Sequence, residues 1–446
     1  MKKIKRKILL FTIFWTLILC QIISAQVYFN DREIDESKKA DSSSVRIKKI
    51  AIVGNKKTKD QLILRELLFS ENDLVSFKQL SAAQKRVQSL NLFTRVRFDV
   101  VEKDQSFNLL ITVNEQWYFF IYPTFYLNEK DWQKISYGVS LRHYNLMGKN
   151  IFLKLKAVNG FNPLYQAIYQ NPWFLGKGKL YSNFRFFKTK VNSRSARHQN
   201  LTDDRIGIDW ALGKRFGHFT FVGVDVNYCQ ISAPPEMGLT ASVSGIDKLL
   251  SLTSGFTYDH RDLAEYPHQG WLLQCGWKLA GLQKGTVYHQ HSATLRHYVP
   301  ISQKMTLALR AAGLISSGQI PIYDRVYFGY EERIRGRFYE ILEGENYCAG
   351  NVELRFRLLK ISYFDLPMIH RLKSYVSNLK FGLSAGIFYD TGTVWSKNQK
   401  WSIQHFKSGY GLGLHIHLPY INLLRLEYGF NSQGQIQRIV DFDVAF

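Results

Sequence analysis

From Trp117 to Phe446 apolar and polar residues alternate with a period of two, in one short segment after another. Trp271, Leu273, Cys275, Trp277 and Leu279 fall on one face of such a segment, against Leu272, Gln274, Gly276, Lys278 and Ala280. Val352, Leu354, Phe356 and Leu358 oppose Glu353, Arg355 and Arg357, and Leu424, Leu426, Tyr428 and Phe430 oppose Arg425, Glu427 and Gly429. Period-two alternation marks strands with one greasy face and one wet face. A sheet that meets lipid on one side has to pair its backbone edges, which closure into a barrel achieves. The pattern predicts a mainly β protein: a single-chain transmembrane antiparallel β-barrel of about sixteen strands over residues 116–446. Its first strand is expected over Trp117 to Tyr126 and its last over Arg438 to Phe446, meeting at a seam.

The preceding residues read differently. Val45 to Val53 alternate as a strand and stop at the turn pair Gly54-Asn55. Thr58 is placed to cap a helix reaching about Phe69, with Leu62, Ile63, Glu66 and Leu67 at helical spacing. A second helix is predicted from Phe77 to Leu90, with Leu80, Ala83, Val87 and Leu90 on one face. Arg95 to Val100 and Phe107 to Val113 alternate as strands around a turn at Asp104. Residues 45–115 thus form a small α/β domain of order β-α-α-β-β.

Ahead of it, Met1 to Lys7 carry five basic residues, Ile8 to Ile23 are almost unbroken apolar, and Ser24-Ala25 precede a polar stretch. That is the build of a secretory signal over 1–25, followed by a polar tether over 26–44 too poor in apolar residues to fold alone. The bulky Leu19 before Cys20 argues against lipoprotein processing there. Composition agrees with an exported barrel: aromatic residues make up 15% of the chain, with 25 Tyr and 31 Phe, while a mean hydropathy of -0.20 excludes a bundle of membrane helices. The net charge is +23, and loss of 1–25 leaves about +18. In an exported protein such a balance suits outer-membrane lipid headgroups and lipopolysaccharide phosphates, and no nucleic acid. Cys229, Cys275 and Cys348 lack the paired spacing of a disulfide framework or a zinc site. His268, His289, His291, His415 and His417 are scattered, and the last two read as solvated lumen residues rather than as a metal pair. No cofactor and no metal is expected. No Gly-x-Ser-x-Gly and no acid, base and nucleophile set stands out, so an enzyme is not expected.

Several motifs carry a family resemblance. The Gly54-Asn55 turn, Leu90-Asn91-Leu92-Phe93 and Val113-Asn114-Glu115 resemble a POTRA domain. Val326 to Phe338 resemble the lumen-entering loop of BamA/TamA-type outer-membrane assembly and translocation barrels, the bacterial surface antigen superfamily. Ile334-Arg335-Gly336 match three places of that loop's tetrad, with Arg337 at its aromatic position and Phe338 one residue later. Phe388-Tyr389-Asp390-Thr391-Gly392, Asn351 to Phe356 with Glu353, Asp259-His260-Arg261-Asp262 before Pro267 and Gly270, and Asn145 to Gly148 are similar to further family signatures. At the chain end Val440, Phe442, Val444 and Phe446 alternate with Asp441, Asp443 and Ala445, resembling the C-terminal strand signal of outer-membrane proteins.

Alternation points Asp390 and Glu353 into the lumen. There an Arg335 on an inserted loop is expected to fork onto one carboxylate and contact the other. The resemblance implies a protein of the bacterial outer membrane with its POTRA domain in the periplasm. It implies unfolded outer-membrane or secreted proteins as clients, received by the domain and inserted or translocated by the barrel, with accessory periplasmic or lipoprotein subunits as further partners. A dedicated secretion channel or passive pore for one partner is the rival expectation. A single POTRA domain favours a specialised relative over a general assembler.

Overall fold

The computed structural model describes residues 44–442 apart from 104–105, 128–133, 177–178, 193–201, 282–286, 329–331, 338–339, 366–376, 400 and 421. The expected signal, the tether as far as residue 43, the turn at Asp104, and Phe338, Val444 and Phe446 lie outside these residues.

The N-terminal unit runs β1 Ser44–Val53, α1 Asp60–Leu64, β2 Leu74–Ser76, α2 Phe77–Gln88, β3 Phe93–Lys103 and β4 Ser106–Glu115, with sheet order β2-β1-β4-β3. β1 and β4 run parallel, and the crossover between them carries both helices. Strand β2 was not foreseen, because three residues give no period to detect. Helix α1 is five residues long, far short of the expected run to Phe69, and its N-cap is Lys59 without a side-chain bond. Thr58, expected as that cap, instead bonds the Tyr118 hydroxyl at 2.9 Å and accepts from Asn145 at 2.9 Å. Helix α2 starts on a capping box: Gln79 N donates to Ser76 Oγ, and Ser76 N to Gln79 Oε1. Its Leu80, Ala83 and Val87 bury against Ile47, Leu109, Ile111 and Val113 of the sheet.

The strands that follow are β5 Phe119–Leu127, β6 Ile135–Leu146, β7 Ile151–Gly160, β8 Leu164–Phe174, β9 Leu180–Asn192 and β10 Thr202–Phe216. Then come β11 Thr220–Ser232, β12 Ile246–Asp259, β13 Gly270–Ala280, β14 Tyr288–Ser302 and β15 Met305–Gly318. A small hairpin, β16 Val326–Phe328 and β17 Leu342–Gly344, precedes β18 Asn346–Phe364, β19 Leu379–Trp395, β20 Lys407–Leu418, β21 Asn422–Asn431 and β22 Ile436–Phe442. All but the hairpin form one 16-stranded antiparallel sheet in chain order. β5 opens two residues later than expected, and β22 is described only to Phe442.

The two faces of this sheet have different chemistry. On β10, Ile206, Ile208, Trp210 and Leu212 stand exposed, while Asp209 between them is 5% exposed. Val222, Val224, Val226 and Tyr228 continue the outward belt on β11. An apolar belt of that extent is tenable only against lipid. The terminal strands β5 and β22 share no ladder among the described residues, which end at Phe442 in β22. Phe120 of β5 stands edge-on to Tyr420, which follows β20, with ring centroids 5.9 Å apart.

The N-terminal unit sits across one mouth of the barrel and touches turn after turn of its rim. Lys59 N donates to Gly148 O at 3.0 Å, and a side chain at Gly148, where φ is +68, would run into Lys57 O. The Arg65 guanidinium lies 4.0 Å above the Trp173 ring, His218 bonds Arg65 O at 3.2 Å, and Lys85 faces Asp262 at 3.4 Å. Ala264 N donates to Ser89 Oγ at 3.3 Å, and Arg95 to Asn378 at 3.2 Å.

Candidate functional site

The connection between β15 and β18, residues 319–345, enters the lumen from the mouth opposite the N-terminal unit. Its root is tied to the wall by Lys278 to Asp324 at 2.6 Å and Tyr323 to Asp247 at 2.9 Å, and braced within itself by Arg325 to Glu343 at 2.8 Å. Further in, Arg310 grips Glu332 with two bonds, of 3.0 and 2.5 Å. Lys278, Asp247 and Arg310 of the wall each make a charge-assisted or hydroxyl contact to the loop, so it descends along a polar rail.

At its tip the chain turns over Ile334-Arg335-Gly336-Arg337, where Arg337 N donates to Ile334 O at 2.9 Å. Gly336 adopts φ +94, and an added Cβ there would lie 2.3 Å from Phe430 O. Only glycine meets both conditions. Arg335 is 4% exposed and forks onto Asp390 through Nε at 2.7 Å and Nη2 at 2.8 Å. Its Nη1 reaches Glu353 Oε2 at 2.5 Å and Glu427 Oε1 at 3.1 Å, and its plane lies 3.7 Å over the Phe388 ring. Buried charge is tolerated only when it is paired this completely.

The structure therefore brings together Ile334, Arg335, Gly336, Glu353, Asp390 and Phe388. Gly392 lies on the same strand, against the Phe328 ring at the loop's root. Arg337, at the aromatic place of the tetrad, is 6% exposed and donates to Ser408 O, Glu340 and Ser432. Phe442 closes β22 away from this cluster in sequence, and its partners at the chain end are outside the described residues.

The sequence reading missed Glu427, the third carboxylate. Alternation already put it on the inward face of β21, but nothing in the pattern tells which inward carboxylates share one arginine. It also misjudged His415 and His417. They are 1% and 3% exposed, not solvated. The Tyr266 hydroxyl lies 2.9 Å from His415 Nδ1, and the Tyr266 ring packs edge-on against both imidazoles. His415 Nε2 faces Glu427 Oε1 at 3.6 Å. Arg355 bonds Glu353 at 2.6 Å, and Arg425 bonds Glu427 at 3.0 Å and Asp441 at 3.0 Å. Glu353, His415 and Glu427 offer donor atoms within 4.8 Å of one another, as a metal triad would. The positive charge in that space is supplied by Arg335 and Arg425.

Tyr266 belongs to the β12–β13 turn at the mouth covered by the N-terminal unit, the turn that also carries Asp262 and Ala264. Two loops thus enter the lumen from opposite ends and meet at His415 and Glu427. The arrangement is a latch whose parts come from both mouths, with the Ser384 hydroxyl 3.1 Å from His417 Nε2 beside it.

Residues 145–444 match the family described as the Omp85 superfamily domain, and residues 45–116 match POTRA, described as surface antigen variable number repeat. The chain is 22% identical over 411 residues to the outer membrane protein assembly factor BamA of Nitratidesulfovibrio vulgaris, covering 86% of this chain and 48% of that protein. It is 40% identical over 68 residues to BamA of Neorickettsia risticii, covering 15% of this chain and 9% of that protein. It spans about half the length of the first of these relatives and a small part of the second. Among solved structures, CdiB from Escherichia coli superposes with a TM-score of 0.54 at 11% identity, covering 93% of this chain and 91% of that one. BamA from Haemophilus ducreyi lacking POTRA domains 1–3 gives 0.52 at 16% identity, covering 90% and 84%. At such identities the likeness is one of fold.

Proposed function

The chain belongs to the Omp85 superfamily, an outer-membrane assembly or secretion barrel, and from that premise we propose that it inserts β-rich client proteins into the outer membrane. The observation that carries this reading is a POTRA domain seated on the mouth of a 16-stranded antiparallel sheet whose inserted loop is latched through Arg335 to Glu353, Asp390 and Glu427, beside the C-terminal edge strands. A strand entering lipid must keep its backbone hydrogen-bonded. An unpaired sheet edge is a template for such a strand, and an incoming client hairpin satisfies both itself and the edge.

In this reading the POTRA domain faces the periplasm and receives unfolded outer-membrane or secreted proteins. Accessory periplasmic or lipoprotein subunits join it there, and lipid and lipopolysaccharide surround the belt. No bond is made or broken, so the chain is not an enzyme. The Arg335 latch fixes the loop against β18, β19 and β21, next to the C-terminal edge, and sets how far that edge can move.

The test reconstitutes the full chain in vesicles with an unfolded outer-membrane barrel as client. Cys229, Cys275 and Cys348 are replaced by Ser, and new cysteines at Ile121 and Val440, one on each edge strand, are bridged by cleavable maleimide linkers of graded length. Bridging is expected to cut the rate of client folding to that of protein-free vesicles, and cleavage to restore it. A client that folds equally fast with the seam bridged would leave a dedicated channel as the better account.

A further inference from the structure

The outward side of the barrel holds a groove with two cations at its rim. Alternation puts Val139 of β6, Leu155 of β7, Tyr165 of β8 and Phe186 of β9 on the outward face, where all four are exposed. Two neighbouring ladder rows cross this face: Val139, Ala157, Tyr165 and Lys188 in one, Leu155, Ala167 and Phe186 in the other. Each row sets an alanine between larger side chains, and together the alanines floor a shallow groove of about 380 Å³. Lys188 closes the first row, with the uncharged Tyr165 and Ile206 as its cross-strand neighbours. Lys190 follows on the same face, opposite Asp204. Both lysines are exposed. They stand near the end of β9 at Asn192, away from the N-terminal unit, whose Arg65 reaches Trp173 ahead of the β8–β9 turn. A charged side chain on a lipid-facing strand is strongly destabilising at the bilayer midplane and nearly neutral at the interface, so this end of β9 marks a headgroup level. A dent among lipid-facing side chains forfeits dispersion contacts when empty, and an acyl chain is the neighbour that fills it.

We propose that this groove, with Lys188 and Lys190 above it, is a binding site for the phosphorylated, multiply acylated glycolipid of the outer leaflet, lipopolysaccharide. One acyl chain lies over Ala157 and Ala167, and a phosphate sits on the two ammonium groups. The proposal rests on the placement of the N-terminal unit in the periplasm, which makes the far end of β9 the outer one. The spacing suits a phosphorylated sugar. Lys188 and Lys190 are alternate residues of one strand, roughly 6.5 Å apart, and each ammonium offers three donors to phosphate oxygens. Asp204 competes for Lys190, so Lys188, between two uncharged neighbours, is the principal contact. The groove begins on β6, the neighbour of β5, so a lipid held there borders the barrel's first strand.

The test uses the full chain in neutral-detergent micelles, with Cys229, Cys275 and Cys348 replaced by Ser and a bimane dye on Val139→Cys, in the groove wall. Purified lipopolysaccharide, the same glycolipid with its phosphates removed, phosphatidylglycerol and phosphatidylcholine are titrated in turn, and the dye emission is followed. Saturable binding of lipopolysaccharide is expected, tighter than that of the other three. Combined Lys188→Gln and Lys190→Gln should weaken it by about thirtyfold, two basic contacts to an anionic headgroup being lost, and should leave the dephosphorylated glycolipid unaffected. Combined Ala157→Leu and Ala167→Leu, which fill the groove, should weaken both glycolipids. Lys214→Gln, on the outward face at the other end of β10, should change nothing. A gel mobility shift on heating checks that each variant keeps its barrel. Unchanged lipopolysaccharide binding in the lysine variant overturns the proposal, as does equal affinity for phosphatidylglycerol. An equal response to phosphatidylcholine also overturns it, marking ordinary solvation by any acyl chain. The assay needs no client, so a chain that binds the glycolipid yet fails to accelerate folding keeps the site and loses the insertion reading. One that folds clients but ignores the glycolipid loses the site alone.

Discussion

The Tyr266 hydroxyl and His415 Nδ1 lie 2.9 Å apart although 149 residues separate them, and this contact joins the two ends of the lumen. On one side Tyr266 shares its turn with Asp262 and Ala264, which touch Lys85 of α2 and Ser89 at that helix's C-cap. On the other, His415 faces Glu427, which holds Arg335. Domain, turn, histidine and loop therefore form one contiguous network of polar contacts, the kind of chain along which a shift at one end changes the energy at the other.

Tyr266→Phe keeps the ring packed against His415 and His417 but removes the hydrogen bond, and should cost about 1 kcal/mol of stability to urea in micelles. If the chain is connected as described, its effect depends on the latch. A double-mutant cycle of Tyr266→Phe with Arg335→Ala should show a coupling of about 0.5–3 kcal/mol. Additive effects would mean that the two loops share space without sharing energy.

Arg335→Ala leaves Asp390 without its fork and Glu353 and Glu427 short of a cation, all three carboxylates being buried. A loss of about 3–5 kcal/mol is expected. Trypsin added at the mouth away from the POTRA domain should then cut at Arg333 or Arg337, sites held inside in the wild type. Arg335→Lys should recover little of this, since an ammonium cannot fork onto Asp390 while reaching two more carboxylates. Glu427→Gln should loosen the loop less than Arg335→Ala does, because Asp390 and Glu353 still hold the arginine. Wild-type protease resistance in Arg335→Ala would show that the polar rail at Glu332, Tyr323 and Asp324 alone seats the loop.

How much of this was legible beforehand depends on the range of the interactions. Alternation fixes a strand's two faces from adjacent residues, so the barrel, the inward placement of Glu353 and Asp390, and the amphipathic α2 could be read directly. Arg335, Gly336 and Phe388 were reached through motif resemblance, which is a memory of tertiary contacts written in local sequence. Glu427, Tyr266 and His415 had no such local mark. Their roles arise only when β20, β21 and the β12–β13 turn converge, and a histidine two residues from another looks the same in solvent as it does buried against a tyrosine. Thr58 failed as a helix cap for a similar reason: Tyr118 and Asn145, distant in sequence, compete for its hydroxyl.

Gly336→Ala tests the backbone rather than the charges. At φ +94 an alanine is strained, and its methyl would overlap Phe430 O. The tip should fail to seat although every charged partner is intact, giving tryptic sensitivity close to that of Arg335→Ala. A protected loop in Gly336→Ala would mean that β21 yields to admit the methyl.

The last prediction concerns the joint between domain and barrel. Tyr118 is 4% exposed, with its hydroxyl between Thr58 Oγ1 and Leu92 O at 2.9 and 3.1 Å. Burial pushes its ionisation well above the usual tyrosine range, even though the bond to Thr58 works the other way. The unfolded or undocked residue ionises near the ordinary value of about 10. Between that value and the raised one the docked state binds more protons than the released state, so docking is unaffected below about pH 9 and weakens as pH climbs past about 10. Energy transfer between dyes on the POTRA domain and on the β8–β9 turn, followed from pH 8 to 11, should show the domain separating on the alkaline side. Tyr118→Phe should start from a weaker joint, by about 1 kcal/mol, and lose the part of the alkaline response that the phenol causes. An identical alkaline profile in Tyr118→Phe would assign the release to the lysines and arginines of the interface instead.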